Sequence, residues 1–321
     1  MRSYKKISNQ VRLHRQRPFS FLLILMNPVS NRRSLLLALA SLPFSGCSFH
    51  QGGSRHHKLA QRRLAELELA AKGRLGVAAL NTDDGALIEH RGGERFPFCS
   101  TFKVILSGAI LKRSEMERGL LAKRIAYNQE DLVTYSPITE KHVGGDLTVA
   151  ELCAAALQYS DNTAANLLIG ELGGTKAVTA FARSIGDAKF RLDRLETALN
   201  TGIPGDLRDT TTPLAMMRDL QSLALGDALG TSEREQLVTW MRGNTTGAKR
   251  IRAGVPASWA VADKTGSGDY GTGNDVGLLY PPGKPPILLA VYFTQPNKDA
   301  TWNNEVVAKA AGMVVEAFEA M

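Results

Sequence analysis

Cysteine is scarce in this 321-residue chain: Cys47, Cys99 and Cys153 are too few for a disulfide framework, so the fold must be held by its core. The six histidines, His14, His50, His56, His57, His90 and His142, include no H-E-x-x-H pair and no Cys/His ligand spacing. No metal and no other cofactor is therefore expected. G-x-S-x-G is also absent, which argues against an esterase of the α/β-hydrolase type. Acidic residues are missing altogether from Met1 to Gly46, a segment that holds eight of the 39 Lys and Arg residues. The rest of the chain is balanced at 31 basic and 31 acidic side chains, so the formal charge of +8 leaves no basic footprint. A nucleic-acid partner is excluded on that ground.

The acid-free head has the order of an export leader. Asn31-Arg32-Arg33 precedes the apolar run Ser34 to Ser45, and Ser45-Gly46-Cys47 follows. That run is too short to cross a bilayer, which needs roughly 20 residues. The paired arginines suit twin-arginine export to the periplasm. Cys47 after Gly46 resembles a lipoprotein cleavage site, although Phe44 stands where Leu is usual. Lipid anchoring at Cys47 and ordinary cleavage to a soluble product both remain open. Met26 opens a leader of normal length and is an alternative start.

Hydropathy patterning divides the remainder into a leader at 1–46, a short linker at 47–57 and one domain at 58–321. Lys58 to Lys72 has helical spacing and ends at Gly73. Leu75–Leu80 and Leu87–His90 read as strands around the turn Thr82-Asp83-Asp84-Gly85. A long Ala- and Leu-rich section from Phe102 to about Trp240 reads as helices. Trp259–Asp263, Asn274–Tyr280 and Ile287–Phe293 read as strands, with turns at Gly266–Gly273 and Pro281-Pro282-Gly283, and Val306–Phe318 as a closing helix. The fold class expected is α/β (α+β): an antiparallel five-stranded sheet flanked by terminal helices, interrupted by an all-helical lobe. The α/β lobe would comprise about 58–98 and 242–321, and the helical lobe about 99–241. Their interface is a natural cleft.

Four short motifs fall near the crossings between lobes. Ser100-Thr101-Phe102-Lys103 opens a helix, where residues three apart share a face and the Lys103 amine can approach the Ser100 hydroxyl. The helix dipole there favours an alkoxide and the oxyanion that follows its attack. Ser160-Asp161-Asn162 follows the helical segment Val149–Leu157. Lys264-Thr265-Gly266 ends a strand, and the glycines at 266 and 268 let a ligand lie against the strand edge. Glu196 and Asn200 are a carboxylate and an amide four apart in the non-periodic stretch Arg191–Asp209, placed to hold one water between them. Taken singly, each motif is equally a helix cap, a polar turn, a hairpin or a surface loop.

Together, S-x-x-K, S-D-N, E-x-x-L-N and K-T-G in this order resemble a class A serine β-lactamase from about Leu59 to the C-terminus. Phe96–Lys103 and Lys264–Asp269 look most like the chromosomal Pen-type broad-spectrum members. The resemblance implies the β-lactamase/transpeptidase-like fold and a covalent mechanism. Ser100 would open the lactam amide, its own N–H and that of Ser267 forming the oxyanion hole, while Lys103 and Glu196 share removal of its proton. Ser160 would protonate the departing nitrogen in the field of Lys264. Asn162 would hold the substrate side-chain amide, Thr265, Gly266, Ser267 and Arg250 the substrate carboxylate and its strand edge, and Tyr135 the cleft mouth. Glu196 and Asn200 would position the deacylating water, and Arg194 and Asp209 would tie the base of their loop.

The same resemblance implies a monomer acting on β-lactams in the periplasm, touching the membrane only through a lipid on Cys47. It implies that Cys99 and Cys153 lack their usual partners, since the matching positions here are Gly268 and Ser107. Penicillins and many cephalosporins would be good substrates and carbapenems poor ones. The rival readings are a penicillin-binding D-Ala-D-Ala peptidase and a receptor that is acylated without turnover. The peptidase lacks a carboxylate and amide like those of E-x-x-L-N, and such receptors usually belong to a membrane-spanning signalling chain, for which no segment is read here.

Overall fold

The structure, a computed structural model, describes residues 51–320. The leader, Met26 and Cys47 lie outside the described residues. The first helix, α1, spans Gln51–Ala71 and so begins inside the stretch read as a linker. It stops one residue earlier than expected. Lys72 takes the left-handed conformation (φ 52°), and Gly73 follows because a Cβ there would stand 2.5 Å from the Phe293 ring.

Five strands form the main sheet: β1 (Arg74–Asn81), β2 (Leu87–His90), β3 (Ala260–Gly268), β4 (Thr272–Tyr280) and β5 (Ile287–Thr294). Their order is β2-β1-β5-β4-β3, with every pairing antiparallel. Strand β5 shows how the sheet is held. Ile287, Leu289, Val291 and Phe293 enter one core, and Leu288, Ala290 and Tyr292 the other. The period of two sends alternate side chains to opposite faces, and apolar residues at every position mark a strand covered on both. One face packs on α1 and the closing helix; the other faces the helices between β2 and β3.

One expectation fails here. Gly266 to Gly268 do not belong to a turn; they continue β3, pairing with Asn274, Gly273 and Thr272, and only 269–271 reverse the chain. Glycine reads as a breaker, but here it serves close approach. A Cβ on Gly266 would stand 2.7 Å from the Phe98 carbonyl oxygen, and one on Gly268 would strike the Asn200 carbonyl.

The intervening section enters through a 3-10 turn at Cys99–Phe102 and then α2 (Lys103–Ser114). Every residue of α2 from Lys103 to Leu111 is buried, so this helix is a central post surrounded by others. Next come α3 (Val149–Gln158), α4 (Asn162–Leu172), α5 (Thr175–Ser184), α6 (Pro213–Ala224) and α7 (Thr231–Arg242). Their starts are written locally. Thr148 and Glu151 form a capping box on α3, Asp161 caps α4, and Thr212 precedes Pro213 at α6. The stretch Arg191–Asp209 is a loop with one 3-10 turn at Ala198–Thr201. A short α8 (Ile251–Gly254) leads back to the sheet, and α9 (Asn304–Glu319) closes the chain. Cys99 and Cys153 are both free and buried.

Candidate active site

The entrance to α2 places Ser100. Asn274 on β4 donates through Nδ2 to the Pro97 and Phe98 carbonyls at 2.9 and 3.0 Å, pinning the chain before the turn. Cys99 then takes φ 47°, unusual outside glycine, and Ser100 follows with 7% of its surface exposed. Burial pushes the Cys99 thiol up, so it stays protonated. Built on Gly268, a Cβ would lie 2.8 Å from Cys99 Sγ, so β3 runs against the back of this turn.

Lys103, one helical turn on, is fully buried. Its Nζ donates to the Ser160 carbonyl at 2.8 Å and to Asn162 Oδ1 at 2.6 Å, and pairs with Glu196 Oε1 at 3.1 Å. These three partners occupy the three donors of an ammonium. The expected approach of Lys103 to the Ser100 hydroxyl thus takes another form, because Ser100 Oγ donates to Glu196 Oε1 at 3.3 Å. Carboxylate, lysine and serine meet at one oxygen. Burial pulls the Lys103 ammonium below the usual lysine range, and the Glu196 charge opposes that pull.

The Ser160-Asp161-Asn162 segment joins three parts of the site. Ser160 has φ 59°, and its Oγ accepts from Lys264 Nζ at 3.0 Å. Asp161 caps α4 through Ala164 N while its other oxygen accepts from Ile138 N and Thr139 N at 3.0 and 2.9 Å. Asn162 donates from its backbone to the Tyr135 carbonyl and from Nδ2 to the Thr134 carbonyl, which fixes Tyr135 at the rim with φ 65° and 56% exposure. On β3, Ala262 packs toward the helices, and Lys264, two residues on, faces the same way. Burial holds Lys264 well below the usual lysine range, and the charge of Lys103 adds to the effect.

Glu196 is held from both sides. Asn166, in the middle of α4, accepts from the Glu196 N–H and donates to its carbonyl, each at 2.9 Å. The peptide between Glu196 and Thr197 is cis. Asn200 Nδ2 donates directly to Glu196 Oε2 at 2.6 Å, so the two are in contact where the sequence suggested a gap. Asn200 Oδ1 is buried with no hydrogen-bond partner among the described residues. At the loop base, Asp209 accepts from the backbone of Asp193 and Arg194 at 2.7 and 3.0 Å and from Arg194 Nε at 2.5 Å.

These residues surround a cavity of about 590 Å³ whose wall includes Ser100, Tyr135, Ser160, Asn162, Thr265 and Ser267. Asn200, Gly266 and Arg250 also line it, whereas Lys103, Glu196 and Lys264 lie behind its floor. The Beta-lactamase enzyme family model matches residues 59–318. Beta-lactamase OXY-2 of Klebsiella oxytoca is 54% identical over 290 residues, covering 89% of this chain and 98% of the relative. Beta-lactamase Toho-1 of Escherichia coli is 54% identical over 291 residues, covering 90% and 99%. A crystal structure of a beta-lactamase from Desulfarculus baarsii is 57% identical with a TM-score of 0.81, covering 82% of this chain and 98% of that one. The chain belongs to the class A serine β-lactamases.

Two features of this β-lactamase differ from the sequence reading. Arg250 was expected to reach the substrate carboxylate, but most of its donors are engaged by the protein. Nη1 donates to the Gly266 and Asn274 carbonyls, each at 2.7 Å, Nε to Asn304 Oδ1 at 2.7 Å and Nη2 to Ser267 Oγ at 2.6 Å. The guanidinium therefore orients the Ser267 hydroxyl and sets its charge behind it. Thr246 similarly meets Thr265, hydroxyl to hydroxyl, at 2.5 Å. The second difference is the set of residues that lie outside the motifs: Asn166, Thr246 and Trp302. Only Asn166 left a local signal, an amide between Ala165 and Leu167 in the middle of a helix, where it has low propensity.

Proposed function

We propose that this β-lactam hydrolase works through a Ser100 acyl-enzyme whose proton transfers run through Glu196. The observation that carries the reading is the single oxygen, Glu196 Oε1, that meets both the Ser100 hydroxyl and the Lys103 ammonium. Ser100 Oγ attacks the lactam carbonyl carbon and its proton passes to Glu196, because Lys103 has its donors committed and no lone pair to offer. The oxyanion is met by the N–H groups of Ser100 and Ser267. Support for that pairing is the bare Gly266, where a Cβ would stand 3.2 Å from Ser100 N. As the C–N bond breaks, Ser160 gives its proton to the lactam nitrogen and is reprotonated by the proton that Glu196 took from Ser100, passed on through Lys103, so Glu196 is a carboxylate again before water attacks. The buried Lys264 ammonium, more acidic than usual, stands hydrogen-bonded behind Ser160 Oγ.

Deacylation repeats the chemistry with water. A water donating to Glu196 and to the unpartnered Asn200 Oδ1 would lie beside the ester, lose a proton to Glu196 and attack. The ester C–O bond breaks and the proton returns to Ser100. Asn162 holds the substrate amide, and the Thr265 and Ser267 hydroxyls, backed by Arg250, hold its carboxylate. Gly268 leaves room beside the acylamide group. We read residues 58–321 as one hydrolase domain with the site between its α/β and helical lobes. Steady-state hydrolysis of one penicillin, one cephalosporin and one carbapenem tests the substrate range: the first two turn over well and the third poorly. Carbapenem turnover equal to that of the penicillin would contradict it.

Residues 1–46 act as a cleaved export leader in this reading, supported by the missing acidic residues and the short apolar run. Intact-mass measurement on protein from the cell envelope is expected to begin near Cys47. A diacylglycerol increment on Cys47 would separate the anchored form from a soluble one, and a mass retaining Met26 to Gly46 would refute cleavage.

A further inference from the structure

Trp302 lines the catalytic cavity from the strand side, and Tyr135 does so from the helical side; they are its two aromatic residues, each 56% exposed. The sole polar group of the Trp302 side chain, Nε1–H, donates to the Gly268 carbonyl at 3.0 Å. This docks the ring on the end of β3 and leaves its faces without any polar obligation. The backbone around it is anchored on both sides. Gln295 Nε2 donates to the Thr301 carbonyl at 2.8 Å, Asn303 caps α9, and Asn304 holds Arg250.

The end of β3 cannot carry a side chain of its own here, since a Cβ on Gly268 would strike the Asn200 carbonyl and Cys99 Sγ. Trp302 supplies from a distant segment the apolar surface this edge lacks. We propose that Trp302 determines side-chain specificity by stacking on an aryl or heteroaryl group at the end of the substrate's acylamide substituent. The assignment rests on the hydrolase reading above and adds to it the class of β-lactam favoured. Stacking of this kind is worth about 3- to 10-fold in the specificity constant.

Benzylpenicillin and 6-aminopenicillanic acid share one nucleus and differ only in the phenylacetyl group, so the ratio of their kcat/KM values isolates the side chain. In Trp302→Ala that ratio is expected to fall about 3- to 10-fold. Trp302→Phe keeps a ring but loses the donor to Gly268, and is expected to retain most of the ratio. An unchanged ratio in Trp302→Ala would overturn the assignment, as would a Trp302→Phe variant as impaired as Trp302→Ala, which would assign the effect to the Gly268 hydrogen bond. Failure of the wild type to turn over either compound would overturn the hydrolase reading and this one with it.

Discussion

Replacing Glu196 with alanine is expected to leave a protein that is still acylated at Ser100 but releases product about 10²- to 10⁴-fold more slowly, the usual cost of removing a general base. The asymmetry follows from what surrounds the carboxylate. When Glu196 is lost, Lys103 keeps Ser160 O and Asn162 Oδ1 but loses its only carboxylate contact, and with it the charge that holds its protonation up. Lys103, one helical turn from Ser100 and freed of that partner, is then the group left beside the hydroxyl to take its proton, so acylation persists. Nothing comparable replaces Glu196 for water, because Asn200 retains only an amide. Mass spectrometry after brief exposure to a penicillin is expected to show an adduct of one drug mass in Glu196→Ala and little in the wild type. Equal adduct in both would count against the assignment.

The second large effect is expected at Asp209. This carboxylate is fully buried and accepts from two backbone N–H groups and from Arg194. Asp209→Ala leaves the backbone N–H groups of Asp193 and Arg194 without their acceptor and takes one partner from the part-exposed Arg194 guanidinium, and each buried donor left unpaired costs about 1–3 kcal/mol. It also places alanine at φ 53°, a conformation that Asp and Asn tolerate better. The loop held at this point carries Glu196 and Asn200, so deacylation is expected to slow more than acylation. Asp209→Asn keeps the conformation and one carbonyl acceptor and is expected to fall between alanine and wild type. Thermal unfolding with single-turnover kinetics measures both effects. Wild-type stability together with unchanged deacylation in Asp209→Ala would show that the latch contributes nothing.

The parts of the fold legible in the sequence are those set by local pattern. Ile287–Phe293 reads as a strand because it is short, continuously apolar and rich in β-branched and aromatic residues (Ile287, Val291, Tyr292, Phe293), and Leu87–His90 because a four-residue turn precedes it. The misreading of Gly266–Gly268 has the opposite cause. Locally these glycines are breakers, and only the backbones of Phe98 and Asn200, far away in sequence, make them strand. The same division holds in the site. Ser100 and Lys103 could be paired by helical spacing, whereas the carboxylate between them comes from Glu196, 96 residues beyond Ser100. Asn166 and Trp302 act on Glu196 and Gly268 through tertiary contacts alone, so no spacing in the chain could announce them.

The central claim is a Ser100 ester that water releases with the help of Glu196, and the measurement that tests it most directly is the stoichiometry of chromogenic cephalosporin consumption. With substrate in excess, the wild type is expected to continue well past one equivalent. Glu196→Ala is expected to stop near one equivalent on the same timescale, and Ser100→Ala to consume none. A wild type that halts at one equivalent, with Glu196→Ala indistinguishable from it, would contradict the account.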